Sequence, residues 1–203
     1  LTASAPTLVE SAAGNSPSIA TRAVWHISRQ DIIQIRTAMK RMNKTKFAKA
    51  ASAAFTGHRF YNFSQKELIK ERLTKAILEA YKHGISNFIS GFAIGIDLMA
   101  AQIVQSLKSS CPGMTLTAAI PFRGQADRFS ANDKMVYENL IASADEVLIL
   151  SERYYTRCFL DRDVFMVGNA SLLIAFYDGR EKGGTYYTFK KANHLGITVV
   201  NVD

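Results

Sequence analysis

The sequence has few of the residues that would indicate a metal centre, a disulfide framework or a membrane span. Its 203 residues include two cysteines, Cys111 and Cys158, and four scattered histidines, and neither set has the spacing of a zinc site. Two cysteines do not make a disulfide framework, so we expect a protein of the reducing cytoplasm. No apolar run approaches the ~20 residues that a membrane helix needs. We therefore expect no metal, no cofactor and no membrane partner.

Acidic residues are missing from one long stretch, since none occurs between Ile32 and Lys66. The formal net charge of +8 is consequently uneven: residues 1–50 contain eight basic and two acidic residues, and residues 51–203 contain 17 and 15. The apolar spacing that follows Ser28 predicts one amphipathic helix in this basic segment. Such a helix could contact nucleic acid or a membrane surface, or pack on the domain or on a second copy. We favour packing, and expect a homo-oligomer with nucleic acid as a less favoured partner.

Two segments of different composition divide the chain at about residue 50. Residues 1–21 are rich in Ala, Ser and Thr, which predicts little regular structure. Residues 1–50 are therefore interpreted as a basic, partly disordered extension with one helix, and residues 51–203 as a single domain. The extension is either an accessory segment or non-native, and in the second case Met42 would be the native start.

Short apolar strands alternate with helices from residue 51 onward. Strands are predicted at 53–56, 87–89, 114–120, 146–150, 172–177 and 197–202, and helices at 64–82, 95–107, 132–143, 161–167 and 185–194. This alternation predicts an α/β fold, namely a Rossmann-like, doubly wound, mostly parallel sheet of about six strands with helices on both faces. In such sheets ligands bind beyond the carboxyl ends of the strands.

The stretch 87–101 joins a predicted strand, a glycine loop and a helix N-terminus in direct succession. Free amides and the positive end of a helix dipole suit a phosphate, and Gly91 and Gly95 would let a ligand approach the backbone. Asp97, in the first helical turn, could accept hydrogen bonds from ribose hydroxyls. A tight turn without any ligand explains the same pattern, because short glycine motifs recur by chance.

Polar and glycine residues also follow the other predicted strands. Arg59 could bind a phosphate bidentately, and the residues from Gly183 to Thr185 open a helix and could form a second anion cradle. Surface ion pairs and helix capping are the alternatives. No catalytic residue is predicted. The predicted ligand-binding residues are Thr56, Gly57, His58, Arg59, Ser90, Gly91, Gly95, Asp97, Pro121, Arg123, Arg128, Gly183, Gly184 and Thr185.

Several short motifs occur in a characteristic order along this domain. They are Thr56-Gly57-His58-Arg59, Ser90-Gly91-x-x-x-Gly95-x-Asp97, Pro121-Phe122, and Tyr177-Asp178-Gly179 followed by Gly183-Gly184-Thr185. Together they resemble the YpsA-like family of the SLOG superfamily, which also includes DprA and the LOG cytokinin-activating enzymes. The resemblance covers about residues 53–202 and implies a Rossmann-like nucleotide-binding domain.

The same resemblance bears on activity. Thr188 stands where the LOG pattern has its catalytic glutamate, and hydrolysis of a glycosidic bond needs a positioned acid–base group. We therefore expect binding of a nucleotide or a nucleotide-derived, ADP-ribose-like ligand, as a sensor or regulatory module and not as an enzyme. The alternatives are a LOG-like phosphoribohydrolase, which is a nucleoside-phosphate N-glycosidase, and a DprA-like nucleic-acid binder.

Overall fold

The computed structural model describes residues 48–203, and within them strands and helices alternate along the chain. The strands are β1 (Ser52–Gly57), β2 (Asn87–Ser90), β3 (Thr115–Ile120), β4 (Glu146–Ile149), β5 (Leu172–Phe176) and β6 (Thr198–Asn201). The helices are α1 (Lys66–Lys82), α2 (Ile96–Leu107), α3 (Ala131–Ser143), α4 (Cys158–Gly168) and α5 (Gly183–His194). The helix predicted after Ser28 lies outside the described residues.

The six strands form one sheet in the order β4-β3-β2-β1-β5-β6, and every neighbouring pair is parallel. The prediction of a doubly wound α/β sheet is confirmed, and the described sheet is parallel throughout. In the central strand β1, Ala54 is in register with Ile89 of β2 and with Leu173 of β5. From β1, the strands β2, β3 and β4 are added in succession on one side, and β5 and β6 are then added on the other side of β1. The switch point therefore lies between β1 and β5.

Two hydrophobic layers cover the two faces of the sheet, because successive strand side chains point to opposite faces. Phe55 and Phe88 belong to the layer that contains the buried residues of α1, α2 and α3, and their rings stack at 6.0 Å. Ala54 and Ile89 belong to the second layer, with the buried residues of α4 and α5. Helices therefore lie on both faces, three on one and two on the other.

The starts of three helices differ from the sequence expectation by two or three residues, namely those of α1, of α4 and of α5, which begins at Gly183 instead of residue 185. A 3₁₀ turn at Phe63–Gln65 precedes α1, and the side chain of Asn62 accepts from the amide of Ser64, so the α-helix begins at Lys66. Helix α4 begins at Cys158, three residues before the predicted position. Its N-cap is Arg157, whose side chain makes no capping hydrogen bond. Because this residue is not Ser, Thr, Asp or Asn, the sequence gives no capping signal for the start of the helix. The longer helix brings Phe159 into the region described next.

Candidate functional site

All six strands are parallel, so their carboxyl ends lie at one edge of the sheet. The segments after β1, β2 and β3 therefore carry most of the predicted ligand-binding residues to this edge. The glycine loop after β2, residues 91–95, adopts a strained conformation, with φ of 52° at Phe92 and 89° at Gly95. The hydroxyl of Ser90 donates to the carbonyl of Asp97 at 2.9 Å and accepts from the amide of Phe92 at 3.2 Å. The end of β2 is thereby tied to the first turn of α2.

Gly95 and Gly91 are required by the protein's own contacts. A Cβ at Gly95 would lie 2.5 Å from the carbonyl oxygen of Arg59 and 2.6 Å from that of His58, so the loops after β1 and β2 pack directly on each other. A Cβ at Gly91 would overlap the guanidinium of Arg162 and lie 2.7 Å from Oδ2 of Asp97. These contacts account for both glycines without a ligand. Phosphate binding through their amides stays a prediction.

Arg162, on α4, reaches the edge of the sheet as a buried cation that is 5% exposed. Its Nη1 donates to the carbonyl of Gly91 at 2.6 Å and lies 3.6 Å from Oδ2 of Asp97. Its Nε donates to Oδ1 of Asp163 at 2.8 Å. One guanidinium therefore holds two carboxylates and the glycine loop together.

Burial dominates the electrostatics of these two carboxyl groups. It raises the pKa of Asp97 to about 6, although the nearby charge of Arg162 acts in the opposite direction. Burial likewise raises the pKa of Asp163, with Arg162 again the largest opposing influence. The exposed guanidinium of Arg59 also lowers both pKa values, more weakly. Arg59 is thus electrostatically coupled to the buried cluster, which we call the Asp97–Arg162–Asp163 cluster.

A cavity of about 600 Å³ opens at the same edge, next to Arg59. It draws on the segments after β1, β2, β3 and β4 and on the start of α4. Its lining residues are Arg59, Ala93, Ile94, Phe122, Gly124, Gln125, Asp127, Arg128, Phe129, Tyr154 and Phe159.

Three aromatic rings contribute to this cavity and contact one another. The ring of Phe122 meets those of Tyr154 and Phe159 edge-on, at centroid distances of 5.5 and 5.9 Å. The guanidinium carbon of Arg59 lies 5.3 Å from the centroid of Phe159, a cation–π contact. We call Phe122, Tyr154 and Phe159 the aromatic wall.

Gln125 connects the cavity to the glycine loop. It is 6% exposed, and its Nε2 donates to the carbonyls of Gly91 and Phe92 at 3.0 and 2.9 Å. The carbonyl of Gly91 therefore accepts from both Gln125 and Arg162. The loop after β3, the loop after β2 and helix α4 are linked through a single backbone oxygen.

A polar bridge spans the switch point between β1 and β5. Nε2 of His58 lies 2.9 Å from Oδ1 of Asp178, and Oδ2 of Asp178 accepts from Nε of Arg180 at 2.6 Å. The hydrogen bond from Arg180 is the largest cause that lowers the pKa of Asp178, to about 2. The carboxylate is therefore ionised at neutral pH, and the crevice expected between these two strands is crossed by the protein's own side chains.

The predicted residues divide into groups in the structure. Arg59 and Arg128 share the cavity, whereas Gly91 and Asp97 lie in the buried cluster. Arg123 points to solvent and pairs with Glu152, donating from Nε and Nη2 at 2.7 and 2.8 Å. The remaining predicted residues at this edge lie outside the cavity lining: Thr56, Gly57, His58, Ser90, Gly95, Pro121, Gly183, Gly184 and Thr185.

Gly183 and Gly184 begin α5, and a Cβ built on Gly184 lies 3.7 Å from Oδ2 of Asp163. The predicted second anion cradle therefore already faces a carboxylate of the protein. Thr188 is buried one turn further along, and its hydroxyl donates to the carbonyl of Gly184 at 2.8 Å.

Sequence reasoning missed Arg162, Asp163, Gln125 and Phe159 as parts of this region. Arg162 and Asp163 lie about 70 residues from the glycine loop, and no motif spacing links them to it. Within residues 48–203, no three His, Cys, Asp or Glu side chains converge as a metal site requires. No helix among the same residues has both the length and the apolar character to cross a membrane.

Comparison with known families gives one match that covers most of the chain. The model of the YpsA family, described as the YspA SLOG family, matches residues 53–198. A UPF0398 protein of Bacillus pumilus is 27% identical over 150 residues, which are 70% of this chain and 81% of that protein. A second UPF0398 protein, from Bacillus cereus, is 26% identical over 132 residues, or 64% of this chain and 72% of its own length.

Two solved structures are similar in fold. DNA processing protein A (DprA) of Streptococcus pneumoniae is 18% identical with a TM-score of 0.56, and the match covers 74% of this chain and 50% of that one. DprA of Helicobacter pylori, whose structure concerns its single-stranded DNA binding mode, is 17% identical with a TM-score of 0.53 and coverages of 74% and 64%. The chain thus spans about half of the first protein's length. At these identities the likeness establishes the fold alone.

Proposed function

The chain belongs to the YpsA SLOG family, and we propose that it binds a nucleotide or a nucleotide-derived ligand, such as an ADP-ribose-like molecule. The observation that carries the proposal is the cavity at the carboxyl edge of the sheet, whose lining combines Arg59 and Arg128 with aromatic rings. Guanidinium groups bind phosphates bidentately, and aromatic faces stack on nucleobases. Open α/β sheets bind ligands at this edge. The binding would serve a sensor or regulatory module.

Arg59 is the residue on which this proposal depends most. Its guanidinium rests on the ring of Phe159 and is exposed at the cavity, so a phosphate can reach it without a rearrangement of the core. Its charge also acts on Asp97 and Asp163. A bound phosphate would therefore engage a cation that already contacts the ring of Phe159 and whose charge also acts on the two buried carboxyl groups.

Isothermal titration calorimetry with AMP, ADP and ADP-ribose tests the proposal. We expect Arg59→Ala to weaken binding at least tenfold, because a charge-assisted hydrogen bond to phosphate contributes about 1.5–3 kcal/mol. Lys75→Ala, which removes an exposed charge from α1 outside this cavity, is the matched control and should bind as the wild type does. Equal affinities of the wild type and Arg59→Ala for every ligand would refute a phosphate site at this cavity.

Binding of single-stranded nucleic acid is a second candidate, and one observation favours it. Phe60 and Phe63, in the segment after Arg59, are 79% and 78% exposed. Exposed aromatic rings beside a basic side chain are typical of surfaces on which single-stranded bases stack. Fluorescence anisotropy with a labelled oligodeoxythymidine separates the two functions. Binding that is lost in Phe60→Ala but kept in Arg180→Ala would favour the second candidate.

A further inference from the structure

Among the described residues, strand β6 is only partly covered on the face of the sheet that carries α1. The buried residues of α1, α2 and α3 pack on this face, whereas those of α4 and α5 pack on the other. β6 is an edge strand, and its Val200 is in register with Ile174 of β5, whose side chain belongs to the layer of α1. Val200 therefore points to the side of α1, where it is 38% exposed. An apolar part of the sheet thus remains accessible beside α1.

A groove of about 780 Å³ lies at this place, between α1 and β6. Its apolar lining comes from α1, from the sheet and from the loop before β2: Ala76, Ala80, Ile85, Leu172, Val200 and Val202. Ala76 and Ala80 are one helical turn apart on the same side of α1, and such small side chains let a second helix pack closely. The charged lining residues are two basic and two acidic, namely Arg72, Lys75, Glu79 and Asp203, so their charges largely balance. The apolar contacts therefore decide which segment fits the groove.

The chain enters the described part of the structure beside this groove. Ala50 is one of the lining residues, and its carbonyl accepts from the hydroxyl of Ser171 at 2.9 Å. Two residues earlier, the carbonyl of Ala48 accepts from the hydroxyl of Ser52 at 2.9 Å. These hydrogen bonds fix the point from which residues 1–47 depart, and that point is within two residues of the groove lining.

Residues 1–47 contain a sequence that suits such a groove. Ile32, Ile35 and Met39 recur at intervals of three and four, which predicts a helix with one narrow apolar side. Thr37 lies on the opposite side of the same predicted helix. A short helix of this kind depends for its stability on packing its apolar side against an apolar surface.

The connection between the predicted helix and the groove is long enough for such packing. The six residues 42–47 can span up to about 20 Å when extended. The lining positions 72–83 of α1 extend over about 17 Å, since a helix rises about 1.5 Å per residue. Ile32, Ile35 and Met39 can therefore all reach the apolar lining from the same chain.

We propose that the groove between α1 and β6 is the docking site of the predicted N-terminal helix of the same chain, which places Ile32, Ile35 and Met39 on its apolar lining. This lining shares no residue with that of the cavity at the carboxyl edge. The inference is therefore independent of the proposed nucleotide binding, and its test requires no ligand.

Disulfide formation in the full chain tests this docking. Val200→Cys is combined in turn with Ile32→Cys, Ile35→Cys and Met39→Cys. Thr37→Cys with the same partner is the matched control, because Thr37 lies on the opposite side of the predicted helix. Two cysteines can join only where their Cα atoms come within about 7 Å, so we expect at least one of the three pairs to form a disulfide within one chain about tenfold faster than the control.

Mass mapping of the oxidised protein distinguishes the possible occupants of the groove. Both native cysteines are buried and should not compete. A disulfide that joins two chains, and never forms within one, would overturn the proposal in favour of a second copy in the groove. Rates equal to that of the control for all three pairs would refute docking of this apolar side.

The fluorescence anisotropy of Trp25, the one tryptophan of the sequence, gives a second readout. Val200→Lys places a charge on the apolar lining and should lower the anisotropy, because a released segment rotates more freely. Val147→Lys is the control, since Val147 is equally exposed, at 38%, on the opposite edge strand β4. An anisotropy that Val200→Lys leaves unchanged would contradict the docking.

Discussion

Replacing Gly91 by alanine should destabilise the protein strongly, although the change adds one methyl group. The φ of Gly91 is not in the positive region, so the backbone accepts alanine and the effect comes from the Cβ alone. The added atom would overlap the guanidinium of Arg162, which is 5% exposed and has no room to retreat without leaving Asp97 and Asp163. Loss of one partner from a buried ion pair costs about 3–5 kcal/mol. We expect a loss of that size at pH 8.

The assay is urea denaturation followed by circular dichroism, with Gly168→Ala as the matched control. Gly168 ends α4, the helix that carries Arg162, and a Cβ built there meets nothing within 4 Å. Alanine at Gly168 should leave the free energy of unfolding within about 1 kcal/mol of the wild type. The loss in Gly91→Ala should shrink at pH 5, because carboxyl groups that lose their cation can then take up protons. A loss below about 1 kcal/mol at pH 8 would refute the packing described for Arg162.

Two further predictions concern Asp97 and the position of Thr188. Burial raises the pKa of Asp97 to about 6, above the ordinary 3.8, so between pH 4 and 6 the folded chain keeps a proton that the unfolded chain has released. The free energy of unfolding of the wild type should therefore fall by about 2 kcal/mol relative to that of Asp97→Asn as the pH rises from 4 to 7, and parallel urea profiles would contradict this. Chromatographic assays should find no free adenine released from AMP, because Thr188, at the position of the LOG glutamate, offers no carboxylate. Turnover that co-purifies with the chain and disappears in Arg59→Ala would contradict the second prediction.

The fold was predictable because its determinants are local in sequence. Each of the first five strands of residues 51–203 is followed by a helix, and parallel strands joined by helices leave few possible topologies. The position of Arg59 at the carboxyl edge follows directly from that topology, and so does the position of Asp97 in the first turn of α2. The positions of both residues follow from the strand or helix to which they are attached, so they can be predicted without knowledge of any tertiary contact.

The interior of the candidate site could not be read in the same way. Arg162 lies between Asp161 and Asp163 in a helix whose other residues are apolar or glycine, and the burial of this arginine has no signature in the sequence until α4 is packed on the sheet. Gly91 illustrates the consequence. A glycine after a strand predicts the close approach of some group to the backbone, and the sequence suggests a ligand phosphate, whereas the group found there is the guanidinium of Arg162. The glycine therefore predicts that some group lies close to the backbone, but it does not predict which group that is.

The contacts of the Gly91 carbonyl explain why the cavity is preformed. Helix α4 carries both Arg162, which donates to this oxygen, and Phe159, which belongs to the aromatic wall one turn earlier. Gln125, from the loop after β3, donates to the same oxygen and lines the cavity as well. A shift of α4 away from the sheet would therefore move the ring only by also breaking a buried charge-assisted hydrogen bond. A nucleotide bound as proposed would therefore meet the ring of Phe159 in a position that folding has already fixed, and that contact would contribute to affinity with little loss of conformational entropy.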